Sequence, residues 1–387
     1  MQKSPYTPGE ISHIVPGREK DVTRFRRDLA FTAVDGALVG RVRVLVGPRG
    51  IGKTSLLRYM EKDARSENFS AVLITAGDGS FLDLLLESLE GLGNSWTDTV
   101  RSKVRKLAES VQLSLGPVSV SGAAHASDPH RSASTGKALQ DLVIEVTNQL
   151  TKRNSHGLCI FIDEIQEADA AGLRALTYAW QNLQAENPDL PAMVVAAGLG
   201  HSQDVITDAV SFSERFAFRS LARLGDDAER TALTQPAEGN GVRWEPEALE
   251  SAMKYAAGYP YFLQVIGDEV WTAAGFPDAG ATLTNADLED ALEAFHEDQE
   301  VFFRARWKKA TRVEAELITA MAQLGVPVVK RAAVAEKMGR KTTDISMVRS
   351  SLIDKGIIQA PKGGYLEFTV PGFGDFIRHE IGDADSL

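Results

Sequence analysis

The sequence predicts an α/β fold: a parallel sheet covered by helices on both faces. Two observations predict it. Short runs that are apolar at nearly every position recur as "VRVLV" (42–46), "FSAVLITAG" (69–77), "GLCIFIDE" (157–164) and "PAMVVAAG" (191–198). Helix-periodic segments separate these runs. A strand that is apolar throughout, rather than at alternate positions, is buried on both faces, which is how strands of a parallel sheet sit between helix layers.

The elements follow in order. A polar lead ends at Gly17, and the next segment places Val22, Phe25 and Leu29 on one helical face. Residues 41–46 form the first strand and 52–62 a helix. After the second strand, "SFLDLLLESLEGL" (80–92) is a helix with Ser80 as N-cap. Residues 95–137 read as an insertion. Within it, "WTDTVRSKVRKLAESV" (96–111) is an amphipathic helix with a basic face. "VQLSLGPVSVSG" (111–122) alternates around Gly116-Pro117 as a hairpin does, and "GAAHASDPHRSASTGK" (122–137) has the composition of a mobile loop. Helix resumes at 138–150, and another at 170–184 joins the third and fourth strands. "RFAFRSL" (215–221) is a candidate fifth strand. Strand signals stop after residue 223. Three or four acidic helices run to about residue 305. Helices at 313–325, 331–339 and 342–356 follow, then two β-like runs around Lys362-Gly363-Gly364. There is no internal repeat.

The junction of the first strand and the next helix carries chemistry. Gly47-Pro48-Arg49-Gly50-Ile51-Gly52-Lys53-Thr54, followed by Ser55, fits G-x-x-x-x-G-K-[ST], the Walker A pattern. Its glycines permit turn conformations and close backbone approach. Loop amides and a helix N-terminus together form an anion cradle. Lys53 would reach the β- and γ-phosphates of ATP, and the Thr54 hydroxyl would ligate Mg²⁺. Asp163 and Glu164 end the apolar third strand, the Walker B arrangement. Asp163 would hold Mg²⁺ through water, and Glu164 would polarise the attacking water. A carboxylate in Glu164's position favours hydrolysis over binding alone.

Bulk properties bound the rest. A chain of 387 residues implies two or three domains. No apolar run reaches the ~18 residues of a membrane span, so no membrane association is expected. A single cysteine, Cys159, excludes an intrachain disulfide and fits a reducing cytoplasm. The seven histidines lack metal-ligand spacing. A net charge of −11 argues against nucleic-acid binding by the chain as a whole.

Together these residues resemble the AAA+ ATPases, in particular a bacterial and archaeal group related to origin-recognition-type and STAND-type ATPases. "IVPGREKDV" resembles the family's N-terminal box near the adenine, matched by Gly17, Arg18 and Glu19. "SERFAF" resembles the segment where an arginine senses the γ-phosphate, here Arg215, in its own subunit or in a neighbour. "AAGYPYFLQVIGDEVW" resembles a lid helix opened by a G-x-P motif, matched by Gly258, Tyr259 and Pro260. The resemblance implies a P-loop NTPase core at 1–222, a helical lid at 223–305 and a winged helix-turn-helix at 306–387. Two departures stand out. The polar residue that follows the fourth strand in many relatives is replaced by Ala196, Ala197 and Gly198, with His201 or Ser202 as stand-ins. A lid arginine found in origin-recognition-type proteins is missing at Gly258–Tyr261. Both imply slow hydrolysis, as in a switch.

Residues 330–362 carry eight basic side chains against three acidic ones. In 342–356, Thr342 or Thr343 is the expected N-cap, Gly356 the stop, and Ile345, Val348, Leu352 and Ile353 the core face. This leaves Arg340, Lys341, Ser346, Arg349 and Ser350 toward solvent, as on a helix that reads the major groove, with Lys362 at a wing tip. The expected activity is Mg²⁺-dependent ATP hydrolysis that repositions the winged helix on double-stranded DNA. The alternative is a STAND-like assembly switch, in which that module packs on the nucleotide core or on a protein partner and nucleotide state controls assembly.

Overall fold

The computed structural model describes residues 1–94, 96–115, 129–210 and 213–384. They fall into two compact units. A sheet unit comprises Arg18–Val46 and Lys53–Ser220, and a helical unit comprises Met1–Gly17, Gly47–Gly52 and Leu221–Leu387.

The sheet unit runs α1 (Glu19–Asp35), β1 (Val42–Val46), α2 (Lys53–Ser66), β2 (Ser70–Thr75), α3 (Phe81–Gly91), α4 (Asp98–Leu115), α5 (Pro129–Thr151), β3 (Leu158–Asp163), α6 (Ala170–Glu186), β4 (Ala192–Gly198), α7 (Ser202–Ala209) and β5 (Phe216–Ser220). The strands form one parallel sheet in the order β2-β3-β4-β1-β5. The expected α/β class and all five strands are present. On one face, Val44, Ile160, Ile162 and Val194 pack with Leu85, Leu142, Leu173 and Leu176 of the helices. The alternate residues face α1 and α2, where Phe161 meets Phe25 edge-on at 6.0 Å. Ser80 caps α3 as expected, accepting the Asp83 N–H.

The 95–137 segment differs from expectation. Residues 111–115, the first arm of the expected hairpin, are helical and continue α4. Val104, Ala108 and Val111 are buried at helical spacing, which outweighs the alternation that follows them. The other arm lies outside the described residues. Of the expected loop, 122–128 also lies outside them, and 129–137 is the start of α5. Proline suits a first helical turn. Gly136 is there for close packing: a Cβ would lie 2.4 Å from the Cβ of Tyr178 on α6. Gly136, one of the small residues that suggested a loop, therefore serves a tight helix–helix approach.

The helical unit contains α8 (Asp226–Gly239), β6 (Arg243–Trp244), α9 (Pro246–Ala256), α10 (Pro260–Ala273), β7 (Thr282–Leu283), α11 (Asn285–Trp307), α12 (Arg312–Gln323), β8 (Val328–Lys330), α13 (Arg331–Lys337), α14 (Ser346–Asp354), β9 (Ile358–Gln359), β10 (Tyr365–Phe368) and α15 (Phe373–Ala384). Strand structure does not stop at residue 223, because β6 and β7 pair in parallel. The polar lead is anchored here. The Tyr6 hydroxyl donates to the Leu233 carbonyl and accepts from Trp244 Nε1, and its ring fits over Gly267.

The last part of this unit is a three-stranded antiparallel sheet, β8-β10-β9, with four helices. The helix expected from Thr342 begins at Ser346. Neither threonine caps it: Thr343 Oγ1 donates to Asp344, and the Thr342 carbonyl accepts from Ser346 Oγ. Ile345 and Leu352 are buried, whereas Val348 and Ile353 are only half-buried. Gly356, at φ +66°, ends the helix as expected.

Candidate nucleotide site

In the sheet unit, two motifs far apart in sequence meet. Thr54 lies in the first turn of α2 and Asp163 at the C-terminal end of β3. Thr54 Oγ1 donates to Asp163 Oδ2 at 2.8 Å, and the Glu164 N–H donates to Asp163 Oδ1 at 2.9 Å. Burial pushes the Asp163 carboxyl above its usual range, against the pull of the Thr54 hydrogen bond and the Lys53 charge. Lys53 itself is buried. A carboxylate and a hydroxyl side by side are the hard oxygen donors that Mg²⁺ takes. A dication there would offset the desolvation of Asp163, so these residues fit Mg²⁺.

Glu164 has left-handed backbone, φ 50° and ψ 44°, and starts a 3₁₀ turn, Ile165–Glu167. This conformation costs a non-glycine residue on the order of 1 kcal/mol. It places Gln166 beside Glu164: Gln166 Nε2 donates to Glu164 Oε2. The Gln166 carbonyl oxygen accepts the Leu199 N–H at 2.9 Å, just beyond β4. Of the two expected stand-ins, Ser202 is buried and donates to the Leu199 carbonyl at 2.6 Å. His201 precedes α7 without a side-chain cap bond. Arg215 donates to Gln184 Oε1 at 2.6 Å. Arg18 occupies the N-cap position of α1 and is buried, and burial pulls its pKa down. Ser55 is half-buried in α2.

In the helical unit, Gly50 and Gly52 have φ of +85° and +90°, conformations only glycine adopts without strain. Pro48 and Gly52 are half-buried, Arg49 and Gly50 are exposed, and Gly47 and Ile51 are buried. The G-x-P segment holds this loop. The Tyr259 hydroxyl donates to the Arg49 carbonyl, and the Tyr261 N–H donates to the Gly50 carbonyl at 3.2 Å. Gly258 is at φ +73°, with the Leu224 carbonyl 2.7 Å from where its Cβ would be; its N–H donates to Glu229 Oε2 at 2.9 Å. Pro260 is the first residue of α10. Gly17 is also tightly enclosed, since a Cβ would lie 2.9 Å from Ala228 Cβ.

Sequence reasoning missed Arg306 and Gln166. Arg306 lies 3.4 Å above the Phe302 ring and donates to the Phe302 carbonyl at 3.0 Å. Burial depresses its pKa, as does the charge of Arg49, while Tyr259 and Tyr261 oppose the shift. No ion pair neutralises it among the described residues. Burial pushes the Tyr259 hydroxyl up to about 12. The spacing of Arg306 four residues after Phe302, in "FFRARW", is the one signal that could have marked it.

The basic residues of the C-terminal segment are dispersed in role. Arg340 pairs with Glu316 at 2.9 Å. Lys341 is exposed, Arg349 is half-buried, and the exposed Lys362 lies 4.2 Å from the Tyr365 ring centroid.

Comparison with known proteins gives these motifs a family context. Residues 14–195 match the family described as AAA ATPase domain, and residues 300–377 match a domain of unknown function, DUF8462. No curated protein matches the chain in sequence. Among solved structures, a Walker-type ATPase of Pyrococcus abyssi is similar at 14% identity with a TM-score of 0.59, covering 98% of this chain and 99% of that one. That likeness shows the fold, that of a P-loop ATPase. Thermotoga maritima RuvB (14% identity, TM-score 0.48, covering 92% and 95%) and the Aeropyrum pernix ORC1 protein in complex with DNA (15%, 0.44, 98% and 97%) are less similar. No helix among the described residues is long and apolar enough to cross a membrane.

Proposed function

We propose that this chain binds Mg²⁺ and ATP, hydrolyses ATP slowly, and uses the nucleotide state to set the disposition of its C-terminal segment. The observation that carries the reading is the Thr54–Asp163 hydrogen bond, with Glu164 one residue further on. Mg²⁺ held by Thr54 and, through water, by Asp163 would balance the charge between the β- and γ-phosphates. Lys53 binds the same phosphates, and the 47–52 loop offers its amides. Glu164 accepts the proton of the attacking water. Gly17 and Arg18 would contact the adenine, as the resemblance of their segment to the family's N-terminal box implies. Arg215 acts on the γ-phosphate in its own subunit or, in an oligomer, in a neighbour.

The output has two readings. In the first, residues 306–387 form a winged helix that binds double-stranded DNA through Arg340, Lys341, Arg349 and Lys362. The local excess of basic residues supports it. In the second, the same module docks protein, as in a STAND-like switch. One observation favours the second reading: Met347, 86% exposed, is the most exposed large apolar side chain of α14, while Arg340 is already paired with Glu316. A DNA-binding titration against salt, with and without ATP, separates them. Binding that weakens steeply with salt supports DNA as the partner, and no binding at low salt supports protein docking. Failure of ATP to bind wild-type protein in the presence of Mg²⁺ contradicts both.

A further inference from the structure

Gln166 belongs to neither Walker pattern, yet its side chain is 7% exposed and bonded at both ends. Its amide orientation is fixed by chemistry. Leu199 presents an N–H, so the Gln166 oxygen must face it, and the nitrogen must then face Glu164. The reverse orientation would set two donors together and an oxygen against a carboxylate. A second, weaker contact runs from Nε2 to Glu167 Oε1 at 3.4 Å.

The end of β4 is shaped around this amide. A Cβ on Gly198 would lie 2.2 Å from Ser202 Oγ, 2.7 Å from Gln166 Oε1 and 2.9 Å from Ile165 Cγ2. Gly198 therefore leaves the room that the glutamine fills. Ser202 supports the arrangement with its 2.6 Å bond to the Leu199 carbonyl. The carboxylate of Glu164 is tied through one side chain to the backbone that follows β4.

We propose that Gln166 is the positioning residue for Glu164 in ATP hydrolysis, fixing the carboxylate against the Leu199 amide and making up for the lack of a polar residue at Ala196–Gly198. The proposal rests on the assignment of Glu164 as the base. Gln166 does not touch substrate; it restricts the side chain that does. A free glutamate samples several rotamers, and a misplaced catalytic group can cost up to about 100-fold in rate.

The test uses the full chain with Mg²⁺ and ATP, measuring nucleotide affinity with a fluorescent ATP analogue and turnover by phosphate release. Gln166→Leu, close in size and unable to hydrogen-bond, is expected to lower kcat by about 10- to 100-fold with affinity changed less than about twofold. A loss of kcat with affinity retained is the readout that a purely structural role would not give. Should Gln166→Leu fail to fold, Gly198→Ala displaces the same amide and is expected to lower kcat with affinity retained. Wild-type kcat in Gln166→Leu, or an equal loss of kcat and nucleotide affinity, overturns the proposal. Glu164→Gln separates the two claims. If it hydrolyses ATP normally, the base assignment fails; if it is inactive while Gln166→Leu is normal, only the positioning role fails.

Discussion

The end of β3 and the G-x-P segment are built on opposite principles. At the end of β3, acidic groups are engaged by donors: Asp163 by Thr54 and the Glu164 amide, Glu164 by Gln166, and Gln166 by Leu199. Beside Tyr259, Arg306 has no ion pair among the described residues: it rests on Phe302 with Arg49 as its charged neighbour. On the function proposed above, the hydrogen bonds of the first region hold its base and its metal ligands in place before nucleotide arrives. The second carries positive charge that the described protein does not neutralise, an arrangement suited to an anionic ligand. Preorganisation of the reacting groups and responsiveness to the ligand are thus assigned to different residues.

The largest expected effect is at Lys53. Replacing it with alanine removes the buried cation that the proposed function sets against the phosphates, and the Kd for ATP with Mg²⁺ should rise by at least about 100-fold by calorimetry. Retained affinity would break the account of the first region. Asp163→Asn keeps the size and loses the charge. It should raise the Mg²⁺ concentration needed for half-maximal turnover by about 10- to 100-fold, since one of two oxygen donors is weakened. Arg306→Met tests the second region. Without nucleotide, thermal unfolding should occur at an equal or higher temperature, because an unneutralised cation is removed. The further stabilisation by ATP should shrink, by about 1 kcal/mol. A lower melting temperature with full ATP stabilisation would mean that Arg306 is only a packing residue.

The smallest expected effect concerns the C-terminal segment. Glu314 on α12 is buried. Burial tends to raise its pKa, but Lys355, Ser351 and Thr311 together hold it down to about 2. A carboxyl held below its unfolded value stabilises the fold above that value and loses the contribution as pH falls toward the folded one. Chemical denaturation of the full chain should show stability falling between about pH 4.5 and 2 by about 2 kcal/mol more in wild type than in Glu314→Gln. Parallel pH dependences would show that the Glu314–Lys355 pair contributes nothing.

The inner strands were legible because β3 and β4 are apolar on both faces, a pattern few other structures require. The runs at 42–46, 69–77, 157–164, 191–198 and 215–221 contain the five strands, which end at Val46, Thr75, Asp163, Gly198 and Ser220. The 129–137 helix was illegible because its signal is tertiary: Gly136 looks like a breaker until Tyr178 is seen against it. The lead reads only as polar for a similar reason, since the partners of Tyr6 lie more than two hundred residues away. At the site, Thr54 and Asp163 could be named from pattern because their spacing to strand and helix ends is local. Gln166 and Arg306 could not, because their importance depends on which backbone and which ring come close to them.

Single-turnover phosphate release by Glu164→Gln, with ATP binding measured on the same protein, tests the central claim most directly. The variant should bind ATP within about threefold of wild type and release phosphate about 100 to 1,000 times more slowly. Wild-type release by a variant that binds ATP would contradict the assignment of Glu164 as the hydrolytic base, and with it the role proposed for Gln166.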